Sequence, residues 1–302
     1  MSSLIVPNSL AAVLRVTGED AFAYLQSQFS NDLRRPGCAR PVTYGLWLTR
    51  KGRVAADSLV VRLAPEEFLL VSFHVPADAL ATKVLENVIA DDVEAAPVAC
   101  AGVTFAGKDA ADTLRSLGLP VPPAGEWAAE GALVVVASRR GGESFEVVSR
   151  DDAAFAEFLV RIRNLVTPSG AVALESIRLA SGIPAVPADC GPGDLPQEAG
   201  LDADAVAFTK GCYLGQEVMA RLQAQGRATR TLTRVVATDG TVFFAGQKLF
   251  AGPDEAGEIR TQAFVGEVSL AMAMLKNRVA EGVETFATDV GGNPAVTRAP
   301  SI

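Results

Sequence analysis

The sequence predicts an α+β fold: an internally duplicated α/β region followed by a small antiparallel β-barrel. Three observations predict it. A Gly-x-Asp-Ala turn occurs twice, as Gly18-Glu19-Asp20-Ala21 and Gly107-Lys108-Asp109-Ala110, each after a strand-like run and each opening a helical pattern. A strand–strand–helix order spanning Leu59 to Val88 recurs from Leu133 to Asn164, the self-similarity that marks a repeated unit. Beyond Gly226 the texture changes to short alternating runs separated by turns, which is the cadence of a barrel or sandwich. The boundaries expected are 1–100 for the first half, 101–226 for the second and 227–302 for the barrel.

Taken in order, Val13-Leu14-Arg15-Val16 reads as a strand and Thr17 as the N-cap of a helix with Phe22, Leu25 and Phe29 on one stripe. Ser30-Asn31-Asp32 ends it. Gly45 to Leu48, Val54 to Leu63 and Phe68 to Phe73 read as strands, with Asp57 inside the second of them, and Ala77 to Val88 as a helix. In the second half Leu133 to Val136 and Phe145 to Val148 are strands, and Ala153 to Asn164 is a helix. Val172 to Ala180 is a further helix, carrying Glu175 and Arg178. Pro184 to Pro196 is an irregular segment, either a cover for a site or a connector. In the last part Thr231 to Thr238, Val242 to Phe244, Lys248 to Phe250, Glu258 to Phe264 and Val268 to Leu275 are strands. Asp239-Gly240 is a turn, and the chain from Gly291 on is a frayed tail.

The stretch with the densest chemistry is Lys210-Gly211-Cys212-Tyr213-Leu214-Gly215-Gln216-Glu217. A Lys two positions from a Cys favours the thiolate, and Gly215 opens a helical pattern from Gln216 to Ala224 with Glu217 and Arg221 at i,i+4. A free cysteine is most often a small buried hydrophobe. Here Lys210, Gln216 and Glu217 are costly to bury without partners, which favours a functional thiol.

Composition excludes several classes. The formal net charge is −8 over 302 residues, with no Lys/Arg block, so extensive phosphate-neutralising contact with nucleic acid is not expected. No apolar run reaches the ~18 residues of a membrane span, and the opening residues lack a basic, then apolar, secretory leader, so a cytoplasmic protein is expected. Cys38, Cys100, Cys190 and Cys212 are far apart, and His74 is the lone histidine. Neither a disulfide framework nor a resident metal site is expected from them.

The eight-residue motif resembles the K-G-C-[FY]-x-G-Q-E signature of the folate-binding YgfZ family, iron–sulfur assembly factors related to the glycine cleavage T-protein, a tetrahydrofolate-dependent aminomethyltransferase. Weaker matches are Gly18 to Ala21 with Phe22 and Leu25-Gln26, Gly52 to Asp57, Arg178 with Gly182-Ile183-Pro184, and Pro196 to Ala199. The resemblance implies three parts around a central opening that holds tetrahydrofolate or a derivative. It makes Cys212 the candidate functional thiol with Lys210 its electrostatic support. It also implies that Asp57 and Glu198 meet the pterin, with Arg178, Tyr213, Gln216 and Glu217 completing the folate site. Asp57 is similar to one of the T-protein's paired aspartates, but Ala56 stands before it, and Ala180 stands where the T-protein pattern has Glu. These departures favour an accessory protein that binds folate and serves iron–sulfur assembly or client proteins. The rival reading is a folate-dependent one-carbon transferase acting on an N-methyl donor or on tRNA, with Asp57 as general base.

Overall fold

The computed structural model describes residues 3–99, 102–226, 228–237 and 240–299. Cys100 and the expected Thr238 strand end and Asp239 turn lie outside the described residues. The chain runs through β1 (Leu4–Pro7), β2 (Ala12–Thr17), α1 (Ala21–Gln28), β3 (Val42–Leu48), β4 (Val54–Ala64), β5 (Glu67–Ser72), α2 (Ala77–Leu85) and β6 (Glu94–Pro97). It continues through β7 (Val103–Ala106), α3 (Ala110–Ser116), β8 (Trp127–Glu130), β9 (Leu133–Ala137), β10 (Ser144–Ser149), α4 (Asp152–Ile162) and α5 (Gly170–Ala180). A 3₁₀ turn at Pro196–Ala199, α6 (Asp202–Ala205) and α7 (Gln216–Gln225) lead to the barrel: β11 (Arg230–Ala237), β12 (Lys248–Ala251), β13 (Asp254–Val265), β14 (Val268–Lys276), α8 (Asn277–Ala280), β15 (Thr285–Phe286) and β16 (Val296–Arg298).

The duplication is visible in the strand order. The first sheet is β3-β4-β5-β2-β6 and the second, taken in the same sense, is β8-β9-β10-β7-β1, with every neighbouring pair antiparallel. Each half is thus strand–helix–three strands–helix; in the second half this is one strand more than expected, because β8 is short and Ala-rich. The fifth strand has a different source in each sheet. In the first it is β6, following α2; in the second it is β1, so the chain's first strand completes the sheet of the expected second half. Both helix entries use the repeated turn: Gly18 and Gly107 have φ of 134° and 115°, and Asp20 and Asp109, rather than Thr17, occupy the N-caps.

Period-2 alternation assigns the two faces of the first sheet. Leu14, Val16, Phe68 and Leu70 pack under α1 and α2 against Tyr24, Leu25, Leu80 and Val84. The odd-numbered residues Val13, Leu59, Val61, Leu69 and Val71 face the other way and join Phe105, Val135, Val147 and Phe158 in a core shared by the two halves. Asp57 extends the Leu59–Val61 row. Its carboxylate is therefore carried into the seam between the halves.

The last part is a six-stranded sheet, β12-β13-β14-β11-β16-β15, nearly closed by Phe250 and Ala287, which exchange backbone hydrogen bonds of 2.9 Å each way. Two expectations fail here. Val242 to Phe244 is not a strand, and the chain end is not frayed over 296–298, where β16 pairs with both β11 and β15 and buries Val296 completely. β11 has a second edge to fill, and β16 fills it.

Candidate functional site

The site is assembled around Tyr44. Antiparallel register pairs Tyr44 with Leu59 and Leu46 with Asp57, so Tyr44 and Asp57 are diagonal neighbours on one face of the β3–β4 hairpin. The Tyr44 hydroxyl donates to Asp57 Oδ2 at 3.0 Å. Asp57 Oδ1 is buried and has no hydrogen-bond partner. Burial raises the Asp57 carboxyl to about 6, against the opposing pull of the Tyr44 hydroxyl and the Arg139 charge.

Arg139, in the β9–β10 turn of the second half, lays its guanidinium over the Tyr44 ring, 3.8 Å from the centroid. It is ion-paired with Asp204 of α6, and its Nε is buried without a partner. Asn31 holds the same corner together by donating to the carbonyls of Tyr44 at 2.8 Å and Asp204 at 2.9 Å. Four segments distant in sequence thus converge on one tyrosine. Sequence reading singled out Asp57 among them but missed Tyr44, Arg139 and Asp204. The usable signal for Tyr44 was hairpin alternation; Arg139 and Asp204 gave none, since each reads as ordinary loop or helix-end charge.

The other expected site residues lie elsewhere. Glu198 is buried, but both its oxygens are taken: Arg230 of the barrel donates to them at 2.8 and 2.7 Å, and the Leu195 amide adds a third bond at 2.8 Å. Arg230 also reaches Asp194 at 2.9 Å, and Arg260 pairs with Asp194 at 3.4 Å. Arg178 is wholly internal, bonded to Glu175, to the Ile183 carbonyl, to Asp189 Oδ2 at 2.7 Å and to Thr261 at 2.9 Å, and Thr261 donates to Asp189 at 2.6 Å. The irregular 184–196 segment therefore fastens the halves to the barrel through Asp189 and Asp194, with Ala185, Val186 and Cys190 buried.

The motif divides in two. The Lys210 ammonium donates to the carbonyls of Gln26, Phe29 and Asn31 at 2.7, 2.8 and 2.8 Å. It thereby satisfies carbonyls left open where α1 ends. Burial pulls Lys210 down to about 8. Its donors are spent on α1, and the Cys212 thiol is not among its contacts. Tyr213 is buried in the cluster of Leu46, Leu48 and Met219, with its hydroxyl unpartnered. Gly215, at φ 85°, sits where a Cβ would come within 2.8 Å of the Thr49 carbonyl, so it lets α7 start against the β3–β4 turn. Gln216 begins α7, and Glu217 is exposed and pairs with Arg221 at 3.1 Å. Gly211 and Cys212 differ from these neighbours: a side chain at Gly211 would meet nothing within 4 Å, and Cys212 is exposed.

Among the described residues no group of three or more His, Cys, Asp or Glu could hold a metal ion, and no helix is long and apolar enough to cross a membrane.

Two duplicated antiparallel α/β units, a nearly closed barrel and a buried carboxylate in the seam define an aminomethyltransferase-type architecture. The solved glycine cleavage system aminomethyltransferase T from Bartonella henselae shares it with a TM-score of 0.83 at 18% identity, over 99% of this chain and 85% of that one. The chain belongs to the GCVT N-terminal domain family, whose model matches residues 5–210. It is 32% identical over 161 residues to the aminomethyltransferase of Xanthomonas axonopodis pv. citri (strain 306), a match covering 53% of this chain and 42% of that protein. It is 35% identical over 92 residues to the tRNA-modifying protein YgfZ of Colwellia psychrerythraea (strain 34H / ATCC BAA-681), over 30% of this chain and 28% of that one. The matched stretch is thus less than half the length of either relative.

Proposed function

We propose that the protein binds tetrahydrofolate or a derivative at the seam between its halves and supports iron–sulfur cluster assembly or repair in client proteins. The observation that carries the folate half is the buried, unpartnered Oδ1 of Asp57. A buried acceptor without a donor is costly, and a pterin N–H would satisfy it. Glu198, whose oxygens Arg230 and Leu195 already use, is a secondary contact at most; Asp57 and Tyr44 are the residues that would hold the ring. Bound folate supplies the capacity to carry a one-carbon unit, and the chain's own residues bind and orient it.

Titration of tetrahydrofolate against wild type, Asp57→Asn and Glu198→Ala tests this. Asp57→Asn is expected to weaken binding about tenfold or more. No binding to wild type would end the folate reading, and equal affinity in Asp57→Asn would remove Asp57 from it. The client half is supported by the resemblance of the motif and by the exposed Gly211-Cys212 step. A null cell should regain its iron–sulfur enzyme activities with wild type and not with Cys212→Ala at matched expression.

The rival reading, a one-carbon transferase or tRNA-modification factor, draws on one observation of its own. A carboxyl raised to about 6 is a serviceable general base near neutral pH. Tetrahydrofolate-dependent turnover of small N-methyl amines or of tRNA, lost in Asp57→Asn, would favour it over the accessory role.

A further inference from the structure

Two buried polar atoms at one tyrosine lack partners, and they are of opposite kind. Asp57 Oδ1, beside the Tyr44 hydroxyl, is an acceptor; Arg139 Nε, on the guanidinium over the Tyr44 face, carries a donor. The two do not bond each other, and the far end of the Arg139 guanidinium is paired with Asp204. Leaving one such atom buried and unpaired is costly. Leaving two, within reach of the same ring, describes the negative of a ligand edge with an acceptor beside a donor.

We infer that Arg139 is a ligand-binding residue, donating from Nε to a ring acceptor while Asp57 accepts from the neighbouring ring N–H of the same amino-oxo-pyrimidine edge. This rests on the folate reading above and adds to it which part of the molecule is recognised and by which second residue. The second half of the duplication thereby contributes directly to a site whose carboxylate comes from the first. Asp204 holds the other end of the guanidinium, through the two terminal nitrogens, while the group lies over Tyr44. An arginine bound only to the carboxylate tail of folate is the competing arrangement, and the two are separable by probe.

The experiment titrates two probes, tetrahydrofolate and a tetrahydropterin that lacks the aminobenzoyl-glutamate tail, against wild type, Arg139→Met and Arg139→Lys at pH 7.5. Arg139→Lys keeps a cation over the tyrosine and guards against a folding defect. Both variants are expected to lose affinity for both probes by the same factor, about tenfold. Loss confined to tetrahydrofolate would place the guanidinium on the tail, and full affinity in Arg139→Lys would remove Nε; either overturns the assignment while folate binding stands. Failure of wild type to bind either probe overturns the folate reading and this assignment with it.

Discussion

Among the described residues each half of the duplication buries one carboxylate at a sheet, Asp57 and Glu146, and the two are provided for differently. Glu146, on β10 of the second half, is inaccessible and fully partnered: Ser138 donates at 2.6 Å, Thr104 at 2.8 Å, and Arg140 lies at 3.4 Å. Asp57, on β4 of the first half, has one partner and one bare oxygen. Burial raises both. A buried carboxylate with complete partners is a fastening; one left half-satisfied has room for a further donor, which the proposed ligand would supply.

The comparison can be broken first at the fastening. Glu146→Ala takes the carboxylate from the buried Arg140 guanidinium, itself 5% exposed and left with its bond to the Ser9 carbonyl, and is expected to cost about 3–5 kcal/mol by urea unfolding, with no ligand able to restore it. Lys210→Met comes next, leaving three carbonyls near the end of α1 without their cation, at about 2–4 kcal/mol in the same measurement.

Asp57→Asn runs the other way. A carboxyl whose folded pKa is about 6, against 3.8 for an ordinary aspartate, binds more protons folded than unfolded in that interval, so stability falls as pH rises through it. The asparagine variant should therefore be more stable than wild type at pH 7.5, by up to about 3 kcal/mol, and the gap should close near pH 4. Affinity shows the same titration with the opposite benefit. Tetrahydrofolate binding by wild type should strengthen from pH 5 to 7 as Asp57 ionises, and Asp57→Asn should flatten that profile. The smallest effect is expected at Cys212→Ser, within about 0.5 kcal/mol of wild type, because the thiol is exposed.

The duplication was legible because its signature is local: a glycine at positive φ, an acidic N-cap and period-2 strands are written within a few residues of each other. Asp57 was legible for a similar reason, as a charge inside a run of Ala, Leu and Val. What escaped was whatever depended on chain segments meeting. β16 is three residues long and earns its place only from the open edge of β11. Lys210 looked like the partner of the thiol two residues away, but its contacts are some 180 positions earlier, at α1. Glu198 resembled a pterin ligand in sequence, and the barrel's Arg230 claims it. Arg139 gave no sign at all, because nothing in its neighbours tells of Tyr44.

The placement of β1 sets an order on assembly. Leu4–Pro7 leaves the ribosome before its hydrogen-bonding partner, Val103–Ala106, which is made about a hundred residues later. The first sheet can form without it, whereas the second must recover a segment made about a hundred residues earlier to cover the edge of β7. A protein fused ahead of Leu4 would thus burden the later-made half of the molecule, and loss of β1 would expose β7 as a sticky strand while leaving the Asp57 hairpin intact.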